Sequence, residues 1–129
     1  MLPTWPDGTV TVLSTGGGAP HAIPVSTAVR SGDATVHFAL GLRRESLARL
    51  REDPRCALTV VAAGVAVTAL GTATVVEETE RVAFVRLEVE EVQDHDRPTF
   101  ALEHGVRWHW TDEEAERADA EIRAALRAL

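Results

Sequence analysis

Apolar and polar residues alternate with a period of two along much of the first 92 residues, which is typical of half-buried β-strands. The pattern predicts six strands, over residues 9–13, 21–29, 34–40, 55–62, 65–76 and 82–92. Turn-forming sequences separate them, namely Pro-Asp-Gly at 6–8, three glycines at 16–18, Arg-Ser-Gly-Asp at 30–33 and Ala-Gly at 63–64. Pro24 removes a backbone donor, which predicts an edge or bulged position in the second strand. The alternation slips at 90–92, which predicts a bulge.

Two segments have helical spacing instead. Leu47 and Leu50 recur among charged residues and predict a short amphipathic helix over 43–53, which Pro54 ends. Near the C-terminus, Thr111 and Glu114 form the pattern of a capping box, with Thr111 as the N-cap. The apolar residues that follow share one face of a helix: Ala115, Ala118, Ile122, Ala125, Leu126 and Leu129. Residues 106–110 alternate and predict one further short strand before this helix.

The element order indicates a mostly β fold with two helices, one after the third strand and one at the C-terminus. Six or seven mostly antiparallel strands in so short a chain favour a closed or split barrel, which leaves few free sheet edges. The 129 residues correspond to a single domain, 1–129, and the hydrophobic fraction of 45% is that of a globular protein. Aromatic residues make up 5%, with no tyrosine, so the core is expected to consist of Val, Ala and Leu.

Cys56 is the single cysteine, and it lies in an apolar run, which indicates a buried and inert thiol. The N-terminal residues lack the basic and apolar regions of a secretory signal, and no stretch approaches the ~20 apolar residues of a membrane span. We therefore expect a cytoplasmic protein.

The charge of the chain is unevenly distributed. A formal net charge of −7 disfavours binding to nucleic acid, because phosphate affinity comes mainly from Lys and Arg. Five arginines nevertheless fall between residues 43 and 55, whereas residues 77–96 carry eight carboxylates. A basic island in an acidic protein suits a small anionic ligand.

The segment 41–46, Gly-Leu-Arg-Arg-Glu-Ser, carries the strongest local signal for chemistry. It connects a predicted strand to the start of a helix, where unpaired backbone N–H groups and the positive end of the helix dipole favour an anion. Arg43, Arg44 and Ser46 add hydrogen-bond donors at the same place. The alternative interpretation is a solvated basic helix start without a ligand.

Other sequence features predict no specific chemistry. There is no phosphate-binding loop before a helix, no nucleophile elbow and no zinc-ligand spacing, and the glycines at 16–18 read as a flexible turn. Nothing in the sequence relates the five histidines to one another, and His37 is expected to be hydrogen-bonded or exposed rather than a ligand. The polar loop 93–98 is expected to be solvated, with a lid over the substrate as the alternative.

Three motifs in register resemble one known family. The Gly at 41, the basic pair at 43–44, the helix and the Asp-Pro-Arg-Cys-Ala-Leu sequence at 53–58 are similar to the "GxRK…L…dPRv.L" pattern of the pyridoxamine 5′-phosphate oxidase-like superfamily of FMN-binding split barrels. Residues 19–25 are similar to the second-strand pattern of that superfamily, and 69–73 to its "x-x-G-x-A" strand. The resemblance covers roughly residues 8–95.

The resemblance implies an FMN-type split barrel, a cofactor and a partner. Arg43 and Arg44 would hold the FMN phosphate, with Ser46 as a helper, and Pro24, Val25, Ser26 and Thr27 would lie along the isoalloxazine ring. The cofactor pockets of this family lie at a two-fold interface, so a homodimer is implied. Trp108 and Trp110 are candidates to complete the pocket of the second subunit, and the alternative is that they pack on the barrel.

The implied function is an FMN-dependent oxidoreductase whose substrate the sequence does not identify. Arg44 replaces the usual Lys, Phe38 stands where the true oxidases carry a hydroxyl residue, and Ala66 stands where they carry Gln. No counterpart of their substrate-phosphate residues is evident, so pyridoxamine phosphate is not expected as the substrate. The alternatives are a deazaflavin-dependent reductase, a non-catalytic module that carries flavin or haem, and a barrel that has lost its ligand.

Overall fold

The computed structural model describes all residues from 1 to 129 and contains seven strands and two helices. The elements, in chain order, are β1 Thr11–Thr15, β2 His21–Val25, β3 Val29–Gly32, β4 Thr35–Gly41, α1 Glu45–Glu52, β5 Arg55–Ala62, β6 Val65–Glu78, β7 Val82–Asp94 and α2 Glu113–Arg127. No helix has the length and apolar character needed to cross a membrane.

All seven strands belong to one antiparallel sheet in the order β2-β1-β5-β6-β7-β4-β3. The sheet curves around a single main core but is not closed, so β2 and β3 are its edges. The prediction of a mostly β split barrel is therefore confirmed. Pro24 lies on the edge strand β2, as predicted, and the missing N–H of this residue interrupts no central ladder.

Alternating side chains of the strands build the core. In β4, Val36, Phe38 and Leu40 point inward and are buried, and Leu58 and Val60 of β5 do the same. Leu47 and Leu50 of α1 join this core, so the helix packs across the interior of the barrel with its charged face outward. The helix is therefore held by the burial of two leucines, because eight residues are too few for a stable isolated helix.

The predicted strand over residues 21–29 is wrong in extent, because the chain breaks it into β2 and β3. Between them, the chain leaves its partner β1 and crosses to the opposite edge of the sheet. One β-branched run thus supplies both edge strands. The predicted turn at 30–33 is also displaced, since residues 29–32 are paired with β4 and the turn lies at Asp33 and Ala34.

The predicted strand over residues 106–110 is not formed. Residues 95–112, which we call the strap, have no regular secondary structure and lie against the hairpin between β5 and β6. Gly64 N–H donates to the Leu102 carbonyl at 2.9 Å, and a Cβ at Gly105 would overlap the Val61 carbonyl oxygen. β1 pairs with β5 only as far as Val60, and the strap passes Val61 and Ala62 beyond that point without forming a strand ladder.

The C-terminal helix is confirmed, but its predicted cap is wrong. Asp112, not Thr111, is the N-cap, and its carboxylate accepts hydrogen bonds from the N–H groups of Glu114 and Ala115. Leu126 of α2 packs with Val29 and Phe84 in a second, smaller core on the outer side of the sheet. Two residues of the predicted apolar face, Ala118 and Leu129, are exposed.

The predicted bulge in β7 is confirmed. Leu70 pairs with Glu91 and Gly71 pairs with Val89, so Glu90 is the extra residue. The backbone of β7 approaches Gly71 so closely there that a Cβ would overlap the Glu88 carbonyl oxygen. Gly71 is therefore required at this position for steric reasons.

Candidate functional site

A cleft with a volume of about 160 Å³ lies between the end of β2 and the end of β4. Its lining residues are Ile23, Pro24, Val25, Ser26, Thr27, Ala39, Leu40, Gly41 and Arg44. The structure thus brings together five residues that the sequence analysis assigned to a cofactor, four from the second strand and one from the basic segment.

Arg44 lines this cleft, and it and Arg43 differ from the other arginines of the basic island in having no ion pair. Three of the five arginines between residues 43 and 55 are neutralised by ion pairs: Arg49 with Glu45, Arg51 with Glu78, and Arg55 with Asp53. The hydrogen bonds from Arg55 lower the pKa of the Asp53 carboxyl below its ordinary value. Arg43 and Arg44 are exposed and have no carboxylate partner. The basic island therefore offers two free cations beside the cleft.

The first turn of α1 adds backbone donors at the same place. Arg44 is the N-cap, with extended backbone angles of φ −69° and ψ 136°, and no side chain caps this end. Arg44 N–H donates to the Gly41 carbonyl at 3.0 Å, whereas the N–H groups of Glu45 and Ser46 have no acceptor in the chain. Of these two residues Glu45 is exposed and Ser46 is fully buried, so the Glu45 N–H, at the positive end of the helix, is the backbone donor open to an anion.

Ser46 is not open to a ligand and instead joins α1 to β2 inside the protein. The residue is fully buried, and its Oγ lies 3.1 Å from Nε2 of His21 on β2. The Nδ1 atom of the same imidazole lies 3.3 Å from the Glu45 carboxylate. The hydroxyl that the sequence analysis named as a phosphate helper is therefore engaged inside the protein.

The ring-side residues differ in what they offer. Pro24 is exposed and Val25 is buried, while Ser26 and Thr27 are half-buried. The Thr27 hydroxyl accepts a hydrogen bond from Ala39 N–H at 3.0 Å, which ties the chain between β2 and β3 to β4. Ser26 is the residue before Thr27 and makes no side-chain hydrogen bond, so its hydroxyl is free for a ligand.

Trp108 and Trp110 lie on the strap and do not line the cleft of their own chain. Their rings contact edge to face, with centroids 5.2 Å apart and planes at 79°. Trp108 Nε1 donates to the Gly8 carbonyl at 2.8 Å, and the ring lies beside Gly8. Both rings remain more than one third exposed, at 38% and 37%.

His37 is buried and hydrogen-bonded. The sequence analysis expected it to be either hydrogen-bonded or exposed, and the structure shows the first. Its Nε2 accepts from Arg86 Nε at 3.0 Å, so Nδ1 carries the proton and donates to Ser31 Oγ at 2.6 Å. Burial, followed by the charge of Arg86, lowers the pKa of His37. Because the imidazole donates to Ser31, it does not activate that hydroxyl as a nucleophile.

The remaining candidates lie outside the cleft. Cys56 is buried, and desolvation raises the pKa of its thiol to about 12, which confirms the prediction of an inert side chain. The loop 93–98 does not line the cleft, and Arg97 within it donates to the carbonyls of Asp94 and Asp96. No group of three or more His, Cys, Asp and Glu side chains is placed to hold a metal ion.

Sequence reasoning missed two residues of the site. Ala39 pairs with the Thr27 hydroxyl across the cleft, and His21 contacts the first turn of α1. Neither carries a local signal, since both contacts join residues that are 12 and 25 positions apart. His21 could only be identified once β2 and α1 were known to pack together.

An open, seven-stranded antiparallel sheet of this order with a helix between β4 and β5 is a split barrel. The family model described as pyridoxamine 5′-phosphate oxidase matches residues 5–105. The chain belongs to this family of pyridoxamine 5′-phosphate oxidase-like proteins. No curated protein sequence matches it.

Solved structures show the same fold at low sequence identity. BorF, the flavin reductase component of a bacterial two-component tryptophan halogenase, is 15% identical with a TM-score of 0.61, over 70% of this chain and 81% of BorF. The NADH:FAD oxidoreductase of Streptomyces globisporus is 16% identical with a TM-score of 0.58, over 67% of this chain and 75% of that protein. An FAD-binding protein of Mesorhizobium loti is 16% identical with a TM-score of 0.56, over 65% and 83%.

Proposed function

We propose that this chain is an FMN-dependent oxidoreductase that works as a homodimer on a substrate yet to be identified. The observation that carries the proposal is the coincidence of two unpaired arginines and the unpaired N–H of Glu45 at the end of the cleft that Arg44 lines. This donor set fits a phosphate, because charged and backbone donors converge on one point. Structural relatives described as a flavin reductase and as an FAD-binding protein support a flavin.

The cleft suits a flat ring attached to that phosphate. Ile23, Val25 and Leu40 give it apolar walls, and Ser26 offers a free hydroxyl for the polar edge of a ring. A bound flavin would supply the hydride chemistry, so the chain need only anchor and orient it. No His, Asp, Glu, Lys or Cys lines the cleft, which is consistent with direct hydride transfer without an acid or base from this chain.

The proposal includes a second copy of the chain, which would complete the pocket. At about 160 Å³, the cleft is well below the ~300–1,000 Å³ of typical small-molecule sites, so a wall is missing. Apart from Arg55 at the start of β5, the outward residues of β2, β1, β5 and the first half of β6 are uncharged: Ala22, Pro24, Val12, Ser14, Ala57, Thr59, Val61, Ala66, Thr68 and Leu70. We call these ten residues the uncharged face. Val12 and Val61 on this face are 40% and 38% exposed. Such a face is suited to burial against its own copy.

In this dimer, Trp108 and Trp110 would reach the cleft of the partner. Both rings are exposed on the strap, which borders the uncharged face at Val61. Aromatic rings with a free face are suited to stacking on a flavin or to sealing its edge from water. We assign the two tryptophans this role because neither of them lines the cleft of its own chain.

Two other functions have a specific observation in their favour. A deazaflavin-dependent reductase would use the same cations, because the longer tail of its cofactor is also anionic. A non-catalytic flavin or haem carrier is favoured by the absence of acid–base residues in the cleft and by Phe38, which points into the core where the true oxidases carry a hydroxyl residue.

The experiment is a titration of the purified apo-protein with FMN, riboflavin, a deazaflavin and haemin, followed by absorbance and thermal shift. We expect FMN to bind and raise Tm, with riboflavin weaker because it lacks the phosphate. A preference for the deazaflavin or for haemin would replace FMN, and no response to any of the four would reject a cofactor site. If FMN binds, its reduction by NADH or NADPH separates the oxidoreductase from the carrier.

A further inference from the structure

His21 connects the two halves of the proposed flavin site. It lies on β2, two residues before the cleft-lining Ile23, and its ring extends to the first turn of α1. There it contacts both of the residues whose N–H groups are free, through Ser46 Oγ at 3.1 Å and the Glu45 carboxylate at 3.3 Å. One side chain thus joins the ring strand to the anion-binding turn.

The two contacts define the hydrogen-bonding roles of the ring. A carboxylate only accepts, so Nδ1 carries a proton and donates to Glu45, while Nε2 meets the Ser46 hydroxyl. A hydroxyl both donates and accepts, so it bonds the neutral ring as a donor and the protonated ring as an acceptor. The connection therefore persists in either protonation state of His21.

The Glu45 carboxylate is also held from its other side. Arg49 Nε donates to it at 2.8 Å, and the Arg49 guanidinium also donates to the Ala19 carbonyl in the turn between β1 and β2. His21 and Arg49 thus fix the orientation of Glu45 between a strand and a turn. The first turn of a short helix would otherwise fray, because its N-cap provides no side-chain hydrogen bond.

The order of serine, histidine and carboxylate resembles a hydrolytic triad, but the environment excludes that chemistry. Ser46 is 0% exposed, so no substrate carbonyl reaches its Oγ. The arrangement serves to hold a backbone in place, which is the requirement of an anion site built from N–H groups.

We infer that His21 is a positioning residue for the cofactor phosphate, acting through Ser46 and Glu45. The inference rests on the proposed function, since it names how that same site is held. Removing His21 leaves Arg43 and Arg44 in place but releases the turn that orients the exposed Glu45 N–H. The loss falls on phosphate binding and leaves the contacts of the ring unchanged.

The test compares FMN with riboflavin in wild type, His21→Ala, His21→Gln and, as a matched control, Arg51→Ala. Arg51 is a charged residue at the other end of α1, where it pairs with Glu78. For His21→Ala we expect about tenfold weaker FMN binding, the loss of one or two hydrogen-bonded contacts, and unchanged riboflavin binding. Gln can still accept from Ser46, so His21→Gln should recover most of the FMN affinity.

The outcomes separate this inference from the function itself. If wild type binds no FMN, the proposed function fails and the inference fails with it. If wild type binds FMN but His21→Ala binds it equally well, or loses FMN and riboflavin equally, His21 does not position the phosphate. If His21→Ala does not fold, as judged by thermal unfolding, His21→Phe, which keeps a ring but makes no hydrogen bond, takes its place: it must retain riboflavin binding and bind FMN more weakly than Arg51→Ala does.

Discussion

Arg86 Nε lies 3.0 Å from Nε2 of His37 and donates a hydrogen bond to it on the outer side of the sheet. Because the ring accepts from a cation, protonation of His37 would remove this bond and place two positive charges together. Burial acts in the same direction, and both effects lower the pKa of His37 from its ordinary value of 6.5. The relationship ties the stability of the fold to pH.

The first prediction follows from the lowered pKa of His37. The unfolded chain binds a proton at His37 below about pH 6.5, whereas the folded chain does so only at lower pH, so stability is full above 6.5 and falls as the pH drops below it. In thermal unfolding between pH 7.5 and 5, His37→Gln should show a smaller fall in Tm than wild type. The control is His104→Ala, whose exposed ring contacts only the neighbouring Gly105 carbonyl. Parallel curves for wild type and His37→Gln would contradict the prediction.

The second prediction concerns the two free arginines. The double variant Arg43→Ala with Arg44→Ala should bind FMN at least ~100-fold more weakly, since each charge-assisted hydrogen bond contributes about 1.5–3 kcal/mol. Riboflavin binding should change little. Arg117→Ala, an exposed arginine of α2, is the control for lost charge. Equal FMN affinity in the double variant and the control would show that the phosphate does not bind at this end of α1.

The third prediction tests whether the tryptophans act across a dimer. The arginine double variant and a Trp108→Ala/Trp110→Ala variant should each bind FMN weakly. When they are mixed and allowed to exchange subunits, a heterodimer has one site with both defects and one intact site. FMN binding should therefore recover in up to about one quarter of all sites, because half of the dimers are mixed in a statistical exchange. No recovery, in a mixture shown to contain heterodimers, would return the tryptophans to a role within their own chain.

The fourth prediction concerns Gly71 beside the β7 bulge. A Cβ there would overlap the Glu88 carbonyl oxygen and lie 2.8 Å from its carbon, so Gly71→Ala should cost at least about 2 kcal/mol of unfolding free energy. Gly32→Ala is the control, because a Cβ at Gly32 meets nothing within 4 Å. Denaturant unfolding measures both, and a loss below that of Gly32→Ala would show that the strands separate easily at the bulge.

The fifth prediction distinguishes the two candidate caps of α2. Asp112→Ala should destabilise the protein by about 1 kcal/mol, because the carboxylate accepts from two free N–H groups of the first turn. Thr111→Ala should change little, since the Thr111 side chain makes no hydrogen bond. The reverse order in chemical denaturation would restore Thr111 as the cap.

The candidate flavin site shows which features a local sequence pattern can predict. The basic pair, the helix after it and the strand before it were all predicted from residues 34–54, because each depends on neighbours within a few positions. The neutralisation of Arg51 could not be predicted, since its partner Glu78 lies 27 positions away. Only the folded chain shows that, of the five arginines between residues 43 and 55, Arg43 and Arg44 are the two without an ion pair.

The sequence by itself determined the hairpin at 63–64, the bulge near Glu90 and the mostly β class, because turn chemistry and alternation act over short distances; the split barrel was implied by the family resemblance. Tertiary structure decided the features that depend on residues distant in the chain. Pro24 lies in an edge strand, residues 106–110 pair with no strand, and the Ser46 hydroxyl lies inside the protein beside His21. The strands and side chains that complete these pairings lie far away in the sequence, so a local pattern cannot identify them.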